Sequence, residues 1–301
     1  MVRGVIDKIG SKALELGFTG IGFSQPAKPL FFEKFKSWVA SGRNAGMSWM
    51  ERKMDVREDP LKLLPECRSI ISLAYPYPKE KPSTEDGFTL ARYSTPDEDD
   101  YHIRLKDKCR ELSVFIKGLY RGSKSRVFVD SAPLLERSFA YSSGMGFIGK
   151  NNMLIIPDYG SYFYLSEILT TAQIDIPIAE LIGDLCGSCS RCIDSCPTGA
   201  LKGPRDFDSS LCLSYLTIEH HQTIGQSLGK HMNKCFLGCD ICQEVCPQNT
   251  GKMKRRCVSS TYEILEMSDE TFKRRYDKTA LSRPGLARIK ANIKAVLGSG
   301  N

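Results

Sequence analysis

Val5, Ile9, Ala13 and Leu16 recur at helical spacing, and Gly17 stands where a left-handed stop would end the turn, so the pattern predicts an opening helix. Short apolar runs follow. "FTGIGFS", "SIISLAYPY" and "RVFVD" read as buried strands, with helical spacing in "FFEKFKSWVASG" and "DDYHIRLKDKCRELSVFIKGLY" between them. "PLLERSFAYSS" continues as a helix and "NMLIIP" as a further strand. Strands alternating with helices predict a mixed α/β layer in the front half of the chain.

The chain has 301 residues, 41% hydrophobic and 26% charged, an ordinary globular balance that leaves no disordered class to consider. Arg3, Asp7, Lys8 and Lys12 interrupt the first helix, which therefore lacks the apolar core of a signal peptide. No apolar run approaches the roughly 20 residues that cross a bilayer. The expected setting is the cytoplasm, with no membrane association, where thiols stay reduced and the twelve cysteines need an explanation other than disulfides.

Their spacing gives one. Cys67 and Cys109 stand alone, whereas the other ten fall between Cys186 and Cys257. "CGSCSRCIDSCP" reads C-x2-C-x2-C-x3-C-P, the run in which three thiolates grip one iron-sulfur cubane and the fourth reaches its neighbour. "CDICQEVCP" repeats the last three positions, with Phe236 at the first. This pattern assigns Cys186, Cys189, Cys192 and Cys246 to one 4Fe-4S cluster, and Cys196, Cys239 and Cys242 to a second. The eighth thiolate comes from Cys212, Cys235 or Cys257, with Cys212 preferred. Paired zinc sites also use C-x2-C spacing, but not the repeated four-cysteine run with its proline.

Three other signals invite function. "GMGFIG" matches a dinucleotide fingerprint, yet it follows a helix and precedes a strand, the reverse of the required order, so its glycines are expected to end a helix and admit close backbone approach. Asp130 ends "RVFVD", and spacing favours Asp130 or Ser131 as the cap of the following helix over a proton donor. From Gly251 to Asn301 there are twelve Lys and Arg against five Asp and Glu, a net of +7 that equals the whole chain's. "GKMKRR", "FKRRYDK" and "RIKANIK" could meet phosphates. The four histidines show no zinc spacing.

"MSWMERKMDVREDPLKLLPECRSIISLAYPY", "ARYSTPDEDDYH", "VDSAPLLERSFAYSSGMGFIGKNNMLI", "YGSYFYLSEILT", "CGSCSRCIDSCPTGAL", "CLSYLTIEH" and "GCDICQEVCPQN" occur in an order that resembles the epoxyqueuosine reductase family over roughly residues 1 to 295. The resemblance implies an α/β cobalamin-binding domain over residues 1–178. After it come a ferredoxin-like two-cluster iron-sulfur domain over 179–252 and a short helical basic tail over 253–301. It implies base-off cobalamin, and no D-x-H-x-x-G pattern is present: Asp100, Tyr101 and His102 are followed by Leu105 where the glycine belongs. Asp130 matches the family's proton donor and Tyr101 an active-site tyrosine. Arg52, Leu154 and Leu165 match positions lining the corrin, and Cys212 the ligand outside the runs, leaving Cys235 and Cys257 as ordinary thiols. The implied partners are tRNA bearing epoxyqueuosine in its anticodon loop and an external low-potential electron donor, with the chain acting as a monomer. Longer family members carry a helical-repeat extension that is not found here. A cobalamin reductase of a small activated molecule, as in reductive dehalogenases, and a non-catalytic electron carrier or cobalamin-handling protein are the alternatives.

Overall fold

The computed structural model describes residues 2 to 220, 222, 225 to 249 and 254 to 298. By its internal contacts the chain divides into two compact units, one of residues 1–42, 48–76 and 102–189, the other of residues 43–47, 77–101 and 190–301.

The first unit is built on a four-stranded sheet in the order Gly20–Ser24, Ser69–Pro76, Phe163–Thr170, Ser125–Phe128, every neighbouring pair antiparallel. The opening helix, Val2–Glu15, ends as its pattern demands: Gly17 takes φ +90 and its N–H donates to the Leu14 carbonyl at 2.9 Å. The two faces of the sheet are covered differently. Cys109, on the helix Tyr101–Leu119, donates to Ser166 at 3.3 Å on one face. On the other, Phe139 and Ala140 of the helix Glu136–Ser142 pack against Ile70, Leu169, Ala74 and Phe163. The strand Phe163–Thr170 is central, and it is not among the short apolar runs that mark the others. It is buried along almost its whole length, and Glu167 interrupts its apolar run.

The glycines of "GMGFIG" do what their context predicts. Gly144, at φ +74, ends the helix Glu136–Ser142. A Cβ on Gly146 would stand 2.3 Å from the Ile155 carbonyl oxygen, where the short strands Phe147–Ile148 and Leu154–Ile155 pair.

In the second unit, four short strands run in the order Cys235–Leu237, Thr89–Leu90, Glu80–Ser83, Lys254–Cys257, with parallel outer pairings and an antiparallel central one. Leu286, Ile289, Ile293 and Val296 form the buried stripe of the helix Gly285–Leu297 and share one core with Phe236, Leu237, Phe272 and Tyr276. The buried Asn292 amide donates to the carbonyls of Thr217 and Phe236, both at 2.9 Å. The basic tail is thus part of the core that carries the second cysteine run. No helix among the described residues is long and apolar enough to cross a membrane.

Candidate active site and cluster-binding segment

The two cysteine runs fold alike. Arg191–Asp194 and Ile241–Glu244 are single helical turns, each followed by a cysteine whose N–H returns to the turn: Cys196 to Ile193 at 3.1 Å and Cys246 to Gln243 at 3.2 Å. Within the second unit, Cys196, Cys212, Cys239 and Cys242 lie near enough to disfavour one another's ionisation. Burial first, then Cys212 and other neighbours, push the Cys242 thiol up to about 12. Burial first, then Cys235, Cys242 and Cys212, push Cys239 higher still, and burial raises Cys212 against the pull of the Tyr215 and Ser214 N–H groups. A helix, Leu213–Ile218, starts directly after Cys212 and aims those donors at its sulfur. Thiols crowded in this way lose their protons readily only to a strongly positive partner, which iron supplies.

The loop between Cys239 and Cys242 is pinned by charge. Asp240 is 3% exposed, accepts from the Arg92 N–H at 2.7 Å and lies 3.6 Å from the buried Lys81 ammonium, which also pairs with Glu244. Cys235 is buried and donates to the Leu237 and Gly238 carbonyls at 3.5 Å, the behaviour of an inert thiol. Cys257 is exposed on the strand Lys254–Cys257.

Asp130 lies in the first unit, past the strand Ser125–Phe128, and does not cap a helix. The next helix begins only at Glu136, its N-cap position is Leu135, and no side chain caps it. The expected cap at Asp130 or Ser131 fails because the intervening "SAPLL" forms a loop. Asp130 instead adopts φ +56, a left-handed conformation uncommon outside glycine. Its N–H donates to Glu136 Oε1 at 2.7 Å, and its carboxylate lies 3.6 Å from His102 Nε2. The Asp130 side chain is 57% exposed, so no apolar enclosure surrounds it.

That enclosure belongs to the residues behind it. Glu167 is fully buried on the central strand, opposite Ser72 and Phe128 in the register, and apart from the Glu136 carboxyl no group bonds to its oxygens. Burial, then the Glu136 carboxylate, raise it well above the ordinary range. Burial and Asp130 push Glu136 up to about 8.

Tyr101 lies in the second unit and is 7% exposed. Tyr93 meets its ring edge-on at 6.3 Å, and the Arg283 guanidinium lies 5.0 Å from the ring centre. Leu165 is half-buried over Ala74, Ala140, Leu154 and Phe163, whereas Leu154 is 2% exposed and belongs to that core. Arg52 is exposed beside the turn Ser48–Met50.

Residues 57–131 match the family described as "Epoxyqueuosine reductase QueG, DUF1730", and residues 185–249 match the "4Fe-4S double cluster binding domain". An epoxyqueuosine reductase of Cellulophaga algicola is 33% identical over 301 residues, covering 95% of this chain and 96% of that protein. The chain belongs to the epoxyqueuosine reductase family. Its fold matches an epoxyqueuosine reductase crystallised with an epoxyqueuosine-modified tRNA-Tyr stem loop at a TM-score of 0.88 and 29% identity, covering 99% of this chain and 82% of that one. It also matches the Bacillus subtilis enzyme with its catalytic aspartate loop swung out of the active site, at a TM-score of 0.84, 28% identity and the same coverage.

Set on this epoxyqueuosine reductase fold, the residues that motif reading missed are those with no motif. Arg283 reaches Tyr101 from 182 positions away. Glu136 and Glu167 look in sequence like a solvated helix start and a polar strand residue. Only a charged residue inside the apolar "FYLSEILT" signals that Glu167 is out of place.

Proposed function

We propose that this chain reduces epoxyqueuosine to queuosine at the wobble position of tRNA, with two 4Fe-4S clusters and base-off cobalamin, as a cytoplasmic monomer fed by an external low-potential electron donor. The carrying observation is the near full-length match to epoxyqueuosine reductases, one of them crystallised with an epoxyqueuosine-modified stem loop.

Opening the epoxide and losing its oxygen as water takes two electrons and two protons and leaves an alkene. When bound, the clusters and cobalt supply low-potential electrons and a reduced metal that no side chain can replace. The first cluster would be held by Cys186, Cys189, Cys192 and Cys246, and the second by Cys196, Cys212, Cys239 and Cys242. The half-buried Leu165, backed by the buried Leu154, offers an apolar contact suited to a corrin, and the exposed Arg52 offers donors to its amide side chains.

Asp130 would hold the proton that reaches the epoxide oxygen. Its exposed carboxyl can approach a substrate, and its loop has a counterpart in the swung-out aspartate loop of the Bacillus subtilis relative. Tyr101, clamped by Arg283 and Tyr93, would present a fixed phenol to the extended base. Lys273 and Arg274 are exposed on the helix Asp269–Tyr276 and Lys254 and Arg255 on the strand Lys254–Cys257, a charge distribution suited to phosphates. Gly251, Lys252 and Met253 of "GKMKRR", like His221, lie outside the described residues.

The test is anaerobic turnover of epoxyqueuosine-bearing stem loop by protein reconstituted with clusters and cobalamin, read by mass analysis of the nucleosides. Queuosine is expected. Its absence, with clusters and cobalamin bound, would overturn the assignment, and dehalogenation of an aryl halide by the same preparation would favour the small-molecule alternative.

A further inference from the structure

The two cysteine runs share a helical turn but not the side chains that brace it. In the first run Ser190 follows Cys189 and Asp194 stands two places after Cys192; in the second, Asp240 and Glu244 hold the same places after Cys239 and Cys242. The first brace is direct. Ser190 Oγ donates to Asp194 Oδ2 at 2.6 Å, at the surface. In the second run both positions are acids, and both turn to one cation from a strand far away in sequence. Lys81, on the strand Glu80–Ser83, lies 3.6 Å from Asp240 Oδ2 and donates to Glu244 Oε1. Lys81 and Asp240 are only 6% and 3% exposed. Asp240 Oδ2 also accepts the Arg92 N–H at 2.7 Å, while the Asp240 carbonyl accepts the N–H groups of Gln243 and Glu244 at 2.8 Å. The carboxylate is thus fixed by the residue that starts the turn.

A surface hydroxyl braces such a turn at little cost, whereas taking charges out of water is expensive, and one ammonium does not neutralise two carboxylates. What the buried arrangement adds is a fixed field. Asp240 lies between Cys239 and Cys242, both assigned to the second cluster, and away from water a charge acts strongly over several ångströms. The exposed Ser190–Asp194 pair is screened by solvent. A cluster that takes up an electron becomes more negative, which a buried ammonium favours and a buried carboxylate opposes.

We infer that Lys81 positions and tunes the second cluster: it clamps Asp240 and Glu244 where the first run uses a serine, and its charge makes that cluster easier to reduce than the two acids alone would leave it. The inference rests on the two-cluster assignment in the proposed function. The step concerned is the uptake of one electron from the external low-potential donor, with no bond made and no proton moved. Lys81 is accordingly a positioning residue.

The test is a redox titration followed by electron paramagnetic resonance on cluster-reconstituted protein without substrate, in which the second cluster's signal is the one missing from Cys212→Ser. Lys81→Met keeps the stem without its charge and should make reduction of the second cluster about tenfold less favourable, a fall of about 59 mV for one electron. Asp240→Asn keeps an acceptor for the Arg92 N–H and should raise the potential by a similar amount. Lys81→Arg keeps the charge and should stay near the unsubstituted value. A brace without electrostatic effect would shift Lys81→Met and Asp240→Asn in one direction or not at all, and either result overturns the proposal. If Lys81→Met does not retain the second cluster, Asp240→Asn decides alone, a rise supporting the proposal and an unchanged or lower potential overturning it. Opposite shifts in a chain that converts no epoxyqueuosine would leave the inference standing and overturn the proposed reaction.

Discussion

Arg283 binds Asp100 through Nη2, 3.1 and 2.8 Å from its two carboxylate oxygens, while its guanidinium lies 5.0 Å from the centre of the Tyr101 ring and Nη1 reaches the phenol oxygen at 3.4 Å. One planar cation thus fixes two consecutive residues at the start of the helix Tyr101–Leu119. Lysine keeps the charge but not the fork. Arg283→Lys should lower the rate of epoxyqueuosine reduction by about tenfold to a hundredfold through a misplaced Tyr101. Cluster content should remain normal, and single-turnover kinetics with iron analysis check both.

The cysteine assignment separates three thiols that spacing alone left as candidates. Cys212→Ser should cost half of the bound iron and its share of the cluster absorbance, because Cys212 adjoins Cys196, Cys239 and Cys242. Cys257→Ser should cost none. Cys235→Ser should retain iron, with a modest stability loss of about 1 kcal/mol from a packing change at a buried site. Iron per protein after anaerobic reconstitution distinguishes the three.

Stability should carry the mark of the buried acids. Glu136 and Glu167 have pKa values raised above their unfolded values, so the folded protein holds protons that the unfolded chain releases. Their contribution is complete below about pH 4.5 and is lost as pH rises toward 8. Glu167→Gln, which has no such proton to lose, should gain on the unsubstituted protein as pH rises from 5 to 8, its Tm climbing relative to the unsubstituted one. Parallel melting curves in that interval test it, and a constant difference would contradict it.

Lys273 and Arg274 point outward from a helix whose Phe272 and Tyr276 are buried, so both can be reversed without disturbing the core. Lys273→Glu with Arg274→Glu should weaken stem-loop binding at low salt and make the dependence of log Kd on log salt shallower by about 1.5, the share of two phosphate contacts. Fluorescence anisotropy at several salt concentrations measures the slope.

What the sequence disclosed follows from the range of each signal. The cysteine runs are local, and their two helical turns could be anticipated from spacing. Short apolar runs mark the strands Gly20–Ser24 and Ser69–Pro76, whereas Ser166 and Glu167 interrupt the run of Phe163–Thr170 although it is as deeply buried. Asp130 was misjudged as a cap by local spacing and brought forward only by family resemblance, because its left-handed backbone depends on Glu136 six residues later. Arg283 beside Tyr101, and Glu167 behind Glu136, are products of tertiary folding and leave almost no trace in sequence.

In the proposed reaction Asp130 delivers the proton that lets the epoxide oxygen leave. The most direct measurement is single-turnover conversion of epoxyqueuosine-bearing stem loop by Asp130→Asn beside the unsubstituted protein, both shown beforehand to hold equal iron and cobalamin. A loss of at least about a hundredfold in the rate of queuosine formation is expected, the scale of a missing general acid. Equal rates from equally loaded proteins would contradict it and send the search for the donor to another residue.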